Sequence, residues 1–363
     1  MLLYDVPKKK VKMTEELTEQ DKKLVNSVNN CTMFDIVIVG GGVAGLSAGI
    51  YASRDGFKTL ILEGTVESSV DAPGGALLLT SDIENFPGFV QGEGAELVNI
   101  IRTQAENFGA DIREQRVAKI EAGLQVGEMH RLWTTDGNEY CARTIILATG
   151  SIARRLGIPG EDELYGQGVS TCATCDGFFF REKNVAVVGG GDTAVEDALL
   201  LTRYAKKVTL IVRGEELRAS GPEAREILKH PDVDILWNSV VDEVVANENG
   251  NGVNHIVVRD RNADSVSDLA VDGLFVAIGS DPATSFLEGS VVQTDSDGYI
   301  LTVDGSTRVQ GAIPGIFAAG DAADRVFKQA ITSAGKAVEA ALEARAYLNA
   351  GVSAPVSRET DRY

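Results

Sequence analysis

The chain has 363 residues, enough for two domains with substantial cores, and its 44% hydrophobic and 24% charged make-up is that of a globular protein rather than a disordered one. A formal net charge of −19, with a sequence pI near 4.6, repels phosphate backbones and argues against a nucleic-acid partner. Four cysteines are too few for a disulfide-stapled secreted scaffold, no apolar run reaches the length of a membrane span, and the first thirty residues lack the apolar core of a signal peptide, so a cytoplasmic protein with no membrane partner is expected.

Residues 1–33 read as a polar N-terminal extension, with a basic run at Lys8-Lys9-Lys10 that reads as a solvated tail and a stretch from Thr14 to Val28 compatible with a short helix. At Phe34 the character changes to a buried parallel strand, Phe34–Val39, followed by Gly40-Gly41-Gly42-Val43-Ala44-Gly45, a helical pattern over Leu46–Asp55 and a second strand, Thr59–Leu62, ending at Glu63. Glycines at 40, 42 and 45 allow a tight turn, close approach of a pyrophosphate to the backbone, and close helix-on-strand packing. Glu63 is placed to accept hydrogen bonds from a ribose, so strand, glycines, helix, strand and acid together make a nucleotide site.

The irregular stretch from Gly74 to Gly88 reads as a surface loop beside that site, where ligand contacts often lie. A helix is predicted over Gly94–Phe108, then strands around Arg113–Glu121 and Arg131–Thr135, and a further strand over Thr144–Gly150. That strand ends in small residues, as chain must where it passes a cofactor or crosses between domains.

Next comes Thr171-Cys172-Ala173-Thr174-Cys175-Asp176-Gly177. Two cysteines three positions apart can close and reopen a small disulfide ring, which is reversible two-electron chemistry. A zinc site would need a second Cys/His pair of similar spacing, and Cys31, Cys141, His130, His230 and His255 supply none. The motif alone does not say where its electrons come from or go.

The nucleotide unit then repeats: a strand over Asn184–Val188, a turn with Gly189, Gly191 and Ala194, a helix over Val195–Tyr204 and a strand over Val208–Ile211. The position equivalent to Glu63 is now Val212, with Arg213 and Arg218 close behind. Loss of the carboxylate and arrival of arginines is what a ribose 2′-phosphate wants, so the first site fits an adenine nucleotide with a bare ribose, such as FAD, and the second leans toward NADP. Strands around 234–236, 240–246 and 255–259 lead to Gly273–Gly279, which echoes the Ala148-Thr149-Gly150 crossing and reads as the way back. Gly315–Asp321 then sets an acid at the mouth of a buried strand ahead of a long helix over Gln329–Asn349. Asp321 reads as an acceptor for a flavin's ribityl or pyrophosphate arm, against the plainer reading that it caps the helix.

Assembled from about Phe34 to Leu348, these parts resemble the low-molecular-weight thioredoxin reductases, the class II FAD-dependent pyridine nucleotide-disulfide oxidoreductases. The resemblance rests on Gly40-x-Gly42-x-x-Gly45, Glu84-Asn85-Phe86-Pro87-Gly88, Cys172-Ala173-Thr174-Cys175-Asp176-Gly177, Gly189-x-Gly191-x-x-Ala194, Gly320-Asp321 and Gln329-Ala330, in that order. It implies an α/β fold of two Rossmann-like three-layer dinucleotide-binding domains, the second inserted in the first. The FAD-binding domain would comprise residues 34–149 and 284–363, and the NAD(P)H-binding domain carrying the redox pair residues 150–283. It further implies a homodimer that passes electrons from NADPH through FAD to the Cys172/Cys175 disulfide and on to thioredoxin.

By the same resemblance Cys175 faces the flavin, Cys172 attacks thioredoxin, Asp176 shuttles a proton, and Asn85, Gln329 and Ala330 join the cofactor-binding residues. Rotation through the crossings near Gly150 and Gly279 would let the redox pair and the nicotinamide take turns at one flavin. Three departures stand out: Gly214 where the family commonly has a phosphate-gripping arginine, Ala76 where a glutamine is usual, and Lys328 in place of an arginine. Gly214 keeps open a relative fed by NADH, ferredoxin or a small dithiol. A flavin-binding redox sensor, which would give one equivalent and stop, is the reading from another class.

Overall fold

The computed structural model describes residues 31–65, 73–80, 83–311 and 313–350; the basic run near Lys8, the stretch Thr14–Val28 and Asp82 lie outside the described residues. The chain enters on β1 (Thr32–Val39), whose apolar run is buried on both faces: Ile36 and Ile38 point to one core and Val37 and Val39 to the other. α1 (Val43–Arg54) returns the chain to β2 (Thr59–Leu62), parallel to β1, and α2 (Gly94–Asn107) returns it to β3 (Asp111–Arg113), parallel to β2. β4 (Val117–Glu121), β5 (His130–Thr134) and β6 (Glu139–Leu147) form an antiparallel meander, and β6 also pairs parallel with β1. The single strand expected near 113–121 is therefore two, at opposite ends of the order β3-β2-β1-β6-β5-β4. Val117, Ile120 and Leu132 of the meander share a core with Leu60 and Leu62, so the meander covers the sheet face opposite the helices.

The chain leaves through β7 (Ser151–Ala153) and builds a second parallel sheet from β8 (Val169–Ser170), then α3 (Ala173–Asp176), β9 (Asn184–Val188), α4 (Asp192–Leu201), β10 (Lys207–Ile211), α5 (Pro222–Ile227) and β11 (Val233–Leu236). An antiparallel set, β12 (Ser239–Ala246), β13 (Val253–Asp260) and β14 (Ser265–Ala270), packs on one face before β15 (Gly273–Val276) completes the order β11-β10-β9-β15-β8. β16 (Ser280–Pro282) pairs antiparallel with β7, and β17 (Ile316–Ala318) rejoins the first sheet parallel to β6. α6 (Ala330–Asn349) closes the helical layer, laying Ala337, Ala340, Ala341 and Ala344 on one buried face. Two Rossmann-like three-layer domains result, the second inserted in the first.

The cysteines outside the redox motif also pair. Cys31 bonds Cys141, 110 positions away, with Cα atoms 5.8 Å apart, which ties the entry of β1 to β6. Cross-linking a loop of that length removes unfolded-chain entropy. Cys31→Ser is expected to lower the stability of the oxidised protein by about 2–5 kcal/mol. Guanidinium midpoints in non-reducing buffer check this, and coincident midpoints for the two proteins would refute it.

His130, buried in β5, accepts a hydrogen bond at Nδ1 from the Gly123 N–H (3.1 Å). Burial holds the ring neutral and lowers its pKa from 6.5 to about 4. The unfolded chain therefore binds more protons between those values, and stability is lost as pH falls from 6.5 toward 4. Urea titrations across that range are expected to lose up to about 1.4 kcal/mol per pH unit more in the wild type than in His130→Gln. Equal slopes would exclude His130 as the source.

Candidate active site

Both phosphate turns lie at the carboxyl ends of their sheets, and each is held by the backbone of a crossing segment. Gly40 (φ 114°) follows β1, and a Cβ there would stand 2.2 Å from the Ala148 carbonyl oxygen; Gly189 (φ 152°) follows β9, and a Cβ there would stand 2.4 Å from that of Ala277. Gly42 and Gly191 are the N-caps of α1 and α4, both in extended backbone with no side-chain cap, which leaves the first amides of each helix for an anion. Both helices begin at Val43 and Asp192, three residues before the apolar pattern announces them, because the turn itself starts the helix.

Around the first turn the expected acids assemble. Glu63 is half-buried, lies against Gly41 and pairs with Arg102 of α2. Gly320 (φ 71°) packs against Ala44, which brings Asp321 to the start of α1. Asp321 Oδ1 accepts from Ser333 Oγ of α6 (2.8 Å). Burial pushes its carboxyl pKa up, opposed by the Ser333 hydrogen bond and by Lys328. Such a carboxyl gains from a further hydroxyl donor. Thr149 Oγ1, beside Gly40, is buried without a hydrogen-bond partner among the described residues. Gly75 rests on Gly42, where a Cβ would come within 2.8 Å of its Cα. A cradle too tight for side chains, a buried hydroxyl lacking a partner and a half-buried carboxyl fit the polar arm of a flavin nucleotide.

Gln329 is the N-cap of α6 and shares a capping box with Thr332, and Ala330 is the first helical residue, so this pair sits one turn from Ser333. Asn85 is exposed in the loop between Ile83 and Gly92, while its neighbour Phe86 packs on the α1/α2/α6 core. Ala76 opens a short 3-10 turn, Ala76–Leu79.

Around the second turn, Val212 is buried and Arg213 and Arg218 are exposed. The loop after β10 folds back over the glycines: the Arg218 and Ala219 amides both donate to the Gly190 carbonyl (2.7 and 3.0 Å), and Arg218 Nη2 lies 3.9 Å from where a Gly191 Cβ would stand.

The redox motif follows β8 directly. Cys172 and Cys175 form a disulfide with Cα atoms 5.3 Å apart. Ser170 Oγ accepts from the Cys172 N–H (3.0 Å), and Cys172 Sγ accepts from the Cys175 N–H (3.2 Å), a donor that favours thiolate on reduction. Asp176 closes α3, its amide donating to the Cys172 carbonyl (3.1 Å). Ala173, buried in the α4 core, roots the ring. Among the described residues no hydrogen bond joins Cys172 or Cys175 to the first turn.

Three features had no local signature in sequence. Arg102 is spaced 39 residues from Glu63 and looks like an ordinary helix-surface arginine. Arg155 lies 3.6 Å over the ring of Tyr165, whose hydroxyl is 3.0 Å from Thr171 Oγ1, linking the first crossing to the redox loop. Lys328, at φ 46°, donates from Nζ to Tyr299 OH (2.8 Å) and to Ser280 Oγ on the second crossing.

Residues 34–341 match the pyridine nucleotide-disulphide oxidoreductase family. A thioredoxin reductase of Schizosaccharomyces pombe is 44% identical over 316 residues, covering 86% of this chain and 96% of its own. The solved thioredoxin reductase of Streptococcus pyogenes superposes with a TM-score of 0.80 at 38% identity, covering 88% of this chain and 99% of its own. That of Lactococcus lactis, described in its FR conformation, gives 0.58 at 36% identity over 87% and 99% of the two chains. With two glycine turns in register, a closed Cys-x-x-Cys ring between them and this degree of likeness over most of its length, the chain belongs to the pyridine nucleotide-disulphide oxidoreductases, as a flavoprotein of the thioredoxin reductase group.

Proposed function

We propose that this protein is an NADPH-dependent thioredoxin-disulfide reductase that carries FAD at the first turn and works as a homodimer in the cytoplasm. The observation that carries the reading is the closed Cys172–Cys175 ring on the strand-helix junction next to the second turn. When bound, FAD supplies a two-electron carrier between the nicotinamide hydride and the disulfide.

The protein's own residues then have definite tasks. The amides opening α1 and α4, with Gly40, Gly42, Gly45, Gly189, Gly191 and Ala194 clearing the approach, receive the two pyrophosphates. Glu63 and Asp321 hold hydroxyls of the FAD arm, with Asn85, Gln329 and Ala330 around it, and Arg213 and Arg218 hold the 2′-phosphate of NADPH. Reduction breaks the Cys172–Cys175 bond, adding two electrons and two protons; Asp176 moves one of those protons. Cys172 thiolate attacks the thioredoxin disulfide, Cys175 thiolate then attacks the mixed disulfide, and the ring re-forms as thioredoxin leaves as a dithiol.

Gly150 (φ 73°) and Gly279 (φ 100°) flank the β7–β16 pair and supply backbone freedom for the two sites to alternate. Relatives of nearly equal identity superpose on this chain at 0.80 and at 0.58, which is what rigid domains in different orientations produce, and this supports alternation.

The test is anaerobic mixing of the yellow protein with NADPH and, separately, NADH. Rapid bleaching by NADPH followed by catalytic thioredoxin reduction is expected. Faster bleaching by NADH would change the donor, and bleaching by neither would overturn the pyridine-nucleotide assignment in favour of a ferredoxin-fed or dithiol-linked relative.

A further inference from the structure

The loop after β10 reads Arg213, Gly214, Glu215, Glu216, Leu217, Arg218, so the position where the resembled reductases commonly carry a further arginine has no side chain. Backbone geometry does not demand glycine there. Gly214 is outside the left-handed region, and an added Cβ would meet nothing closer than 3.7 Å. What the position lacks is a charge, not room for a side chain.

We infer that Arg261, at the β13–β14 turn, supplies the phosphate-gripping charge that position 214 lacks, and so helps select NADPH over NADH. This rests on the assignment of the second turn to NADPH. Arg261 Nη1 donates to the Arg213 carbonyl (2.9 Å), which sets its guanidinium on the arginine loop itself. A chain of backbone bonds fixes the approach: the Arg261 amide donates to the Asn238 carbonyl (2.7 Å), and the Asn238 amide donates to the Gly214 carbonyl (3.0 Å). Asp260 holds the hairpin turn by accepting the Asn262 and Ala263 amides (2.8 and 3.1 Å).

Arg261 is exposed, and among the described residues no carboxylate lies within 4.0 Å of its guanidinium or of those of Arg213 and Arg218. Two positions away on the same hairpin, Arg259 is held by both oxygens of Asp242 (2.8 Å each). In a chain with 53 acidic and 34 basic residues, three exposed arginines on two adjoining turns, none of them ion-paired among the described residues although Glu215 and Glu216 share the loop, mark a place that can receive an anion from outside. The single carbonyl contact occupies one of five guanidinium donors, leaving a fork for phosphate.

The test is calorimetric titration of the flavin-loaded protein with 2′,5′-ADP and with 5′-ADP, for the wild type, Arg261→Gln, Arg261→Lys and Arg213→Gln. Arg261→Gln is expected to weaken 2′,5′-ADP by about tenfold or more and to leave 5′-ADP unchanged, with partial recovery in Arg261→Lys. Unchanged 2′,5′-ADP affinity in Arg261→Gln, with a loss in Arg213→Gln, would overturn the role of Arg261 and leave the NADPH assignment standing. Equal weakening of both ligands would reduce Arg261 to a support of the loop and overturn the inference. A wild type that binds 5′-ADP as tightly as 2′,5′-ADP would overturn the NADPH assignment, and the inference with it.

Discussion

Cys175→Ser is expected to lower thioredoxin reduction by at least about a thousandfold while leaving bleaching of the flavin by the nicotinamide donor intact. Ring opening needs both sulfurs, and Cys172 then has no partner to release it from a mixed disulfide. The variant should accumulate a covalent adduct with thioredoxin at Cys172, visible on non-reducing gels. Retained turnover would move the chemistry elsewhere, and the remaining cysteines offer a control: Cys31→Ser, which opens the Cys31–Cys141 bond, is expected to keep full turnover. A loss of turnover there equal to that of Cys175→Ser would deny the Cys172–Cys175 ring its special place.

Gly45→Ala is expected to strip the flavin, so that the purified protein is colourless or retains FAD at least about a hundredfold more weakly, a change near 3 kcal/mol. The added Cβ would stand 1.8 Å from the Gly40 carbonyl oxygen, and that oxygen belongs to backbone already pressed on Ala148. Neither neighbour is a flexible side chain that can swing aside. The second turn provides the contrast, since it already carries a fully buried Ala194 at the equivalent place. Ala194→Gly is expected to cost only about 1 kcal/mol of helix stability. Flavin absorbance per protein and thermal midpoints report both variants, and normal flavin content in Gly45→Ala would show that the first turn has more room than its backbone indicates.

The parts of this fold legible in sequence are those enforced locally. A strand that must be buried on both sides reads as Ile36-Val37-Ile38-Val39, and a turn that must admit phosphate reads as glycine, so both nucleotide units and the redox ring stood out. Helix starts did not, because Val43 and Asp192 follow glycines that mask the apolar period. What stayed hidden depends on residues far apart in the chain. Nothing near Arg102 foretells Glu63, nothing near Cys31 foretells Cys141, and β14 is an exposed strand whose apolar Val266 and Leu269 fall out of any period of two. β7 and β16, three residues each, become strands only by meeting one another.

That last pairing has a topological consequence. Ser151 stands opposite Pro282, and the Ala283 amide donates to the Gly150 carbonyl (3.0 Å), so everything between forms a closed excursion whose two ends meet at one point. For the host sheet, the second unit is equivalent to a hairpin loop of very great length, and its closure entropy depends only weakly on how large that loop is. Joining residue 150 to 283 through a two-residue turn should therefore leave β6 and β17 in register, and the guest, excised at the same point, should bring its own termini side by side.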